Sequence, residues 1–345
     1  MKKLNILVAL LSVLLVSSAA NAGEIGVSGS VKASMSVGSS ESTAGVVESG
    51  DGKTLAVSND INFDAAGELD NGWTWKWQTQ LDAGAIDDTR LEISTPMVTL
   101  GLYGTEGGLN FKHGGSQMAL GYGSQIGNSG GLVDPDDIGT YNNVQLHTAA
   151  DLLPFKTVIK AGMTMSGSAT SEAGDSPVNT TTGTTEGGLS YQVEAEPVDG
   201  LSVGASYFEI EQTDSRKDLG QKEEHGAYYA SYEYGQFGIG YSRAMRAPSS
   251  DLERSTTQLY NYYETDSISI GYTVNDDLSI SYGQEESHRN LRADASEYDL
   301  EIMTIQAAYT MGGMTVTAGI KDIENADYTQ NKDISEGHLV VSMAF

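Results

Sequence analysis

The sequence predicts an all-β protein, a transmembrane antiparallel β-barrel of about 16 strands, and three observations support this fold class. Apolar and polar residues alternate along most of the chain, as in strands that have one apolar and one polar face. Beyond the first 22 residues, no continuous apolar stretch reaches the roughly 18 residues of a membrane helix. The chain closes on an alternating strand with one apolar face, formed by Leu339, Val341, Met343 and Phe345. An exposed apolar face of this kind is stable against lipid.

The first 22 residues have the pattern of a secretory signal peptide. Lys2 and Lys3 precede an apolar run, Leu4 to Val16, and an Ala-x-Ala cleavage pattern ends at Ala22. The apolar run is shorter than a membrane-spanning helix, and the small residues after it favour cleavage. We therefore expect residues 1–22 to be removed and residues 23–345 to form the barrel, outside the cytoplasm.

Composition narrows the functional classes. The chain has 47 acidic and 19 basic residues, so the formal net charge is −28 and becomes −30 without Lys2 and Lys3. This charge argues against nucleic-acid binding. Tyr (18) is three times as frequent as Phe (6), which suits girdles where a ring contacts lipid and a hydroxyl contacts water. There is no Cys, so the fold does not depend on disulfides.

Alternation predicts the individual strands. In the sharpest case Trp73, Trp75 and Trp77 share one face, and the residues between them are polar. The sixteen predicted strands are residues 24–37, 55–66, 73–80, 89–94, 98–103, 141–149, 155–166, 187–196, 201–211, 225–234, 236–245, 256–273, 278–284, 298–310, 314–322 and 337–345.

The predicted connections alternate between short turns and long loops, which is typical of outer-membrane barrels. The connection at residues 83–86 is shorter than this scheme predicts for the long-loop side. The longest stretch without a strand pattern is residues 106–139, which is rich in glycine and contains an acidic cluster. Loops of this length are commonly functional.

Together these features resemble the general diffusion porins of Gram-negative outer membranes. The segment Asp87–Ile93, which leads to Thr99–Gly104, is similar to the porin segment that precedes the constriction loop. The resemblance implies a homotrimer of water-filled barrels with the long third loop folded into each lumen. It also implies passive diffusion of small hydrophilic solutes and ions, no catalysis and no cofactor. Recognition of Phe345 by the barrel-assembly machinery belongs to the same expectation. Contact with lipopolysaccharide is expected from the paired carboxylates, which either bridge to it through divalent cations or simply stay solvated.

Strand parity indicates which charges line the pore. If Val27 and Val31 face lipid, then Lys32 faces the lumen, and the same test places Lys76 and Arg90 there. A cation facing lipid near the bilayer midplane would cost about 2–4 kcal/mol. We expect these three residues to form a basic wall, with Lys160 and Lys321 as weaker candidates. The opposing acidic loop residues would be Asp134, Asp136 and Asp137.

Two interpretations of these charges remain open. Opposed charges across a narrow pore would create a transverse field that penalises apolar solutes. Alternatively, residues 134–137 form a solvated turn, and the basic residues only tolerate a wet lumen. The excess of acidic residues favours weak cation selectivity, because the long loops at the pore mouth carry much of the acid.

Other functions are less well supported by the residues. A structural or adhesive barrel without an open pore and a substrate-specific channel are the alternatives. The G-x-S-x-G pattern at residues 127–131 lies in a glycine-rich loop, where a nucleophile elbow is not expected, so no enzyme is predicted. The five histidines show no metal-ligand spacing. Carboxylate pairs such as Glu223-Glu224 and Glu285-Glu286 suggest at most weak structural calcium.

Overall fold

The structure, a computed structural model, describes residues 25–42, 52–82, 85–104, 116–133, 143–165, 185–212, 220–248, 250–251, 260–291 and 298–345. Within these ranges the backbone forms eighteen β-strands and three short 3-10 turns. The strands are β1 (Ile25–Ser42), β2 (Gly52–Glu68), β3 (Thr74–Asp82), β4 (Ala85–Ser94), β5 (Val98–Gly104), β6 (Asn143–Thr148), β7 (Val158–Met165), β8 (Thr185–Val198), β9 (Leu201–Gln212), β10 (Gly220–Gln221), β11 (Glu223–Tyr234), β12 (Phe237–Ala247), β13 (Ser250–Asp251), β14 (Tyr260–Thr273), β15 (Leu278–Leu291), β16 (Leu300–Met311), β17 (Met314–Glu324) and β18 (Lys332–Ala344). The 3-10 turns are Gly123–Gln125, Pro154–Lys156 and Ala326–Tyr328.

Sixteen of the described strands close into an antiparallel barrel. Each strand pairs with its neighbours along the chain, and β1 completes the circle by pairing with β18. The two-residue strands β10 and β13 form a separate ribbon. The predicted number of strands and the antiparallel barrel are confirmed, and each of the sixteen predicted segments overlaps one barrel strand.

The barrel wall has two chemically different faces. One face carries exposed hydrophobic side chains, such as Val57 (69% exposed) and Ile305 (52% exposed), and we call it the apolar face. The alternate residues form the polar face, on which Ser269 and Gln306 are 0% and 1% exposed. This alternation follows from the two-residue period of a strand.

The two ends of the barrel differ in the length of their connections. At one end the strands are joined by short connections, such as residues 199–200 between β8 and β9, and residues 312–313 between β16 and β17. At the other end most connections are longer, although β3 and β4 are separated only by residues 83–84. We call these the short-turn end and the long-loop end. The predicted alternation of connection lengths is therefore present, including its short exception.

Two sequence predictions lie outside the described residues. The predicted signal peptide, residues 1–22, is one, and the acidic cluster at residues 134–137 is the other. No helix within the described residues is long and apolar enough to cross a membrane.

Candidate functional site

The described part of the connection between β5 and β6, residues 116–133, lies against strands that are distant in sequence. We call it the inner segment. The backbone N–H of Gln117 donates to Ser269 on β14 at 3.0 Å, and that of Leu120 donates to Gln306 on β16 at 2.9 Å. The Gln306 amide in turn donates to the Gly121 carbonyl at 2.9 Å. Because Ser269 and Gln306 belong to the polar face, the inner segment covers that face of the barrel wall.

A carboxylate on β15 holds the 3-10 turn of the inner segment. Glu285 is 3% exposed and accepts hydrogen bonds from the Ser124 backbone N–H at 2.7 Å and from the Ser124 hydroxyl at 2.6 Å. The preceding residue, Gly123, lies so close to the wall that a Cβ there would be 2.3 Å from Thr304 Oγ1 and 2.4 Å from Ile302 Cγ2. Glycine at position 123 therefore allows the turn to pack directly on β16.

Lys321 on β17 contacts the 3-10 turn and the residues that follow it as far as Asn128. Its side chain is fully buried, and its ammonium donates to the backbone carbonyls of Gly123, Ile126 and Asn128. The ammonium also forms an ion pair with Glu336 on β18 at 2.9 Å. Lys321, a weaker candidate for the basic wall, thus has its charge bound beneath the inner segment.

Glu336 links this lysine to a chain of polar side chains. Its carboxylate lies 3.2 Å from His338 Nε2, and the other ring nitrogen of His338 lies 2.9 Å from the Ser36 hydroxyl. The same carboxylate accepts a hydrogen bond of 3.3 Å from the Asn128 N–H. Gly127 has φ +60°, and a Cβ there would be 2.6 Å from His338 Cε1. The conformation and the close approach both favour glycine at this position.

The connectivity of Ser36, His338 and Glu336 is that of a serine, histidine and carboxylate triad. Two observations argue against catalysis by these residues. Lys321 already neutralises the carboxylate, and His338 is buried at 7% exposure. Ser129 of the G-x-S-x-G pattern precedes a turn, in which its carbonyl accepts from the Leu132 N–H at 3.1 Å, and not a helix. The nucleophile elbow requires a strand-to-helix turn, so this pattern has no catalytic context.

An apolar cluster secures the end of the inner segment towards the long loops. Leu132 packs with buried residues of β14 and β16–β18 and of the β17–β18 connection, namely Tyr263, Leu300, Ile302, Ile323, Ala326, Tyr328 and Ile334. The Tyr328 hydroxyl lies 2.8 Å from the Ser287 hydroxyl, and the Arg289 guanidinium lies 4.8 Å from the Tyr328 ring centroid. The inner segment is thus fixed by hydrogen bonds at its turn and by apolar packing at its end.

The three predicted wall cations all belong to the polar face, but they are spread along it. Lys76 on β3 pairs in register with Glu92 on β4, and Arg90 pairs with Gln78, so the two cations are diagonal neighbours. Lys32 on β1 is paired with Ser58 of β2, whereas Lys76 is paired with Ala66. Eight residues of an extended strand correspond to roughly 26 Å, so Lys32 lies far along the wall from Lys76.

Carboxylates alternate with these cations on the same wall. Asp64 on β2 pairs with Gln78, which pairs with Arg90 on the next strand. Glu92 accepts a hydrogen bond of 2.8 Å from the Tyr103 hydroxyl. The Tyr103 ring stacks on His147 of β6 with 6.4 Å between centroids. The described wall near Arg90 therefore carries charges of both signs. Lys160, another weaker candidate for the wall, pairs in register with His147 and Gln192 on the same face.

In the two carboxylate pairs of the described wall, the adjacent side chains point to opposite faces. Glu285 holds the inner segment, whereas Glu286 lies on the apolar face opposite Glu301. Likewise, Glu223 contacts His225 at 3.0 Å, and Glu224 contacts Tyr207 on the other face. Adjacent residues of a strand point to opposite faces. Among the described residues there is no group of three or more His, Asp or Glu that could hold a metal ion.

Part of this site was not identified from the sequence. The inner segment lacks any strand period, so its contacts with Glu285, Lys321 and Glu336 left no local signal. The available signal was parity: Lys321 was predicted on the polar face, and Glu336, one residue before the predicted last strand, has the same parity as His338 on the polar face of that strand. Two buried opposite charges on one face indicate a pair, although not what they hold.

A closed sixteen-strand barrel with an exposed apolar face, and with a segment after its fifth strand packed on the polar face, defines the class of outer-membrane channel proteins. The profile of the Gram-negative porins matches residues 8–328, which is nearly the whole chain. The chain therefore belongs to the Gram-negative porin family and is located in the outer membrane of a Gram-negative bacterium.

Solved structures show the same fold at low sequence identity. OmpF of Salmonella typhi, in complex with daunomycin, matches with a TM-score of 0.67 and 13% identity, covering 94% of this chain and 98% of OmpF. OmpT of Vibrio cholerae matches with a TM-score of 0.60 and 14% identity, covering 95% of this chain and 100% of OmpT. A porin structure matches with a TM-score of 0.58 and 14% identity, covering 93% of this chain and 100% of that porin. No curated protein sequence matches the chain significantly.

Proposed function

We propose that the chain forms a water-filled channel for passive diffusion of small hydrophilic solutes and ions, and that the inner segment narrows it. The observation that carries this proposal is the position of the contact between Ser124 and Glu285. In the circular strand order, β15 lies eight strands from β5 in either direction, so it is the opposite wall. A segment that leaves β5 and contacts β15 on the polar face takes its shortest path across the interior of the barrel.

The proposed constriction lies between the inner segment and the wall that carries Lys32, Lys76 and Arg90. Asp134, Asp136 and Asp137 follow the inner segment directly in the chain and would supply the acidic side. Because Lys76 and Arg90 are interleaved with Asp64 and Glu92, the wall does not present one sign of charge. This mixture, together with the net charge of −28, favours weak cation selectivity.

The assembly that we propose is a homotrimer inserted by the barrel-assembly machinery, which would bind the C-terminal strand at Phe345. Contact with lipopolysaccharide is supported by the long-loop end of the apolar face. There Glu286, Glu301 and Glu324 lie directly opposite one another on three neighbouring strands. Like charges so arranged are unfavourable alone, and divalent cations between them and anionic lipid would relieve the repulsion. We propose neither a catalytic activity nor a resident cofactor.

The experiment is single-channel recording of the purified protein in a planar bilayer under a salt gradient. The proposal expects stepwise openings in groups of three and a small reversal potential of the sign for cations. A silent bilayer, with insertion shown by protease protection, would contradict the open channel and support a structural barrel. Single openings would contradict the trimer only.

A further inference from the structure

Lys321 has an environment that is unusual for a lysine in a barrel that holds water. Lysine is almost never fully buried unless it is paired, yet the Lys321 side chain is 0% exposed and lies between the wall and the inner segment. Its position on the polar face alone would allow the ammonium to extend into water. Instead, the ammonium is directed into the turn formed by residues 123–128.

The oxygens around this ammonium resemble the shell of a bound cation. Three are backbone carbonyls of a single turn, from Gly123, Ile126 and Asn128, and the fourth is the Glu336 carboxylate at 2.9 Å. Carbonyl and carboxylate oxygens are the usual ligands of a hard cation. The carbonyls of Ile126 and Asn128 lie outside the barrel ladders and require a partner when buried. The Lys321 ammonium is that partner for both carbonyls.

Two further contacts orient the shell. Glu336 is held by His338, which the Ser36 hydroxyl contacts from β1, so the carboxylate that pairs with Lys321 has a second side-chain partner on its own strand. Glu285 holds Ser124 at the beginning of the same turn. Side chains from β15, β17 and β18 therefore hold this turn, and Lys321 contacts three of its carbonyls.

We propose that Lys321 is a built-in cation that folds the turn at residues 123–128 around itself and holds the inner segment at a fixed distance from the opposite wall. Lys321 is thus a positioning residue that determines the width and steadiness of the pore. This inference rests on the proposed channel function. It predicts that the charge and the N–H donors at this position matter, and not only the volume of the side chain.

The test is chemical rescue of Lys321→Ala in planar bilayers at constant ionic strength. The truncation leaves space for n-propylammonium, which matches the missing part of the side chain. We expect Lys321→Ala to show larger conductance and several-fold greater current noise than the wild type. Addition of n-propylammonium chloride should restore the quiet, narrower channel. Tetramethylammonium chloride, which has no N–H donor, should not.

Controls separate this inference from general destabilisation and from the channel proposal. Lys156→Ala removes an exposed lysine that pairs with Glu196 outside the inner segment, and it should leave noise unchanged. If Lys321→Ala does not fold, Glu336→Gln keeps the shape of the shell but removes its charge, and it should show increased noise. Wild-type noise in the folded Lys321 or Glu336 variant would overturn the inference, as would equal rescue by both ammonium salts. A silent wild type would refute the channel itself.

Discussion

Gly29 and Phe345 exchange two backbone hydrogen bonds, from the Gly29 N–H at 3.0 Å and from the Phe345 N–H at 2.9 Å. These bonds continue the ladder between β1 and β18 to its end. The Phe345 ring covers Gly29, since a Cβ at Gly29 would lie 2.6 Å from the ring atom Cζ. The same Cβ would lie 2.6 Å from the Asp60 carbonyl oxygen on β2. The seam of the barrel is therefore packed too tightly at Gly29 for a side chain.

Substitution of Gly29 should weaken closure of the barrel. Gly29→Ala introduces a Cβ that is too close to both the Asp60 backbone and the Phe345 ring, and overpacking of this kind costs about 1–3 kcal/mol. The free energy of unfolding, measured by urea titration of the protein refolded into lipid vesicles, should fall by that amount. Gly26→Ala on the same strand is the matched control, because its Cβ would lie 4.0 Å from the nearest atom, the Asp64 carbonyl oxygen. Equal stability of the two variants would show that the seam is not tightly packed.

The fold could be predicted from the sequence because the barrel is built from a repeated local rule. Alternation of apolar and polar residues is enough to predict a strand, and a break in that alternation is enough to predict a connection. The residues around Trp75 or Val193 therefore show by themselves which side chains belong to the apolar face. Strand ends were less predictable. The strand predicted to end at Gln284 extends to Leu291 as β15. The prediction stopped early because Glu285 and Glu286 place charged residues on both faces and hide the two-residue period.

The site was only partly predictable, because a sequence pattern reports on neighbouring residues and not on contacts between distant ones. The parity rule placed Lys76, Arg90 and Lys321 on one face, and the register agrees. The role of Lys321 depends on Asn128, 193 residues away in the chain, within a segment that has no period. A contact between a wall strand and an irregular loop leaves no trace in the sequence around either residue.

The register of the wall cations predicts how their effects on selectivity combine. Lys76→Ala and Arg90→Ala should each increase the preference for K⁺, because each removes a fixed positive charge. As diagonal neighbours within about one screening length of 8 Å, they should be non-additive in the double variant. Lys32 is separated from Arg90 by six residues along β2, roughly 20 Å, so these two effects should add. Reversal potentials in a KCl gradient measure the effects of Lys32→Ala, Lys76→Ala, Arg90→Ala and the two double variants. Additivity for both pairs would contradict the proximity of Lys76 and Arg90.

The acidic residues after the inner segment should act in the opposite direction. Asp136→Asn and Asp137→Asn remove negative charge from the proposed constriction, so cation preference should decrease while the size of the side chains is nearly unchanged. The reversal potential is again the measurement, and Asp70→Asn at a short-turn connection provides a control outside the constriction. An unchanged reversal potential in the double variant would remove these residues from the constriction.

The assignment of the two faces can be tested with a pair of neighbouring lysine substitutions on β9. Ala205 lies on the apolar face, and Ser206 lies on the polar face, so the same charged side chain is directed to opposite sides of the wall. Ala205→Lys should lower the free energy of unfolding in lipid vesicles by about 2–4 kcal/mol if it meets the midplane of the bilayer, and by less near an interface. Ser206→Lys should cost much less, because the ammonium would remain in water, and it should instead shift the reversal potential towards anions. The reverse order of stabilities would mean that the polar face is directed towards the membrane, and the channel proposal would then fail.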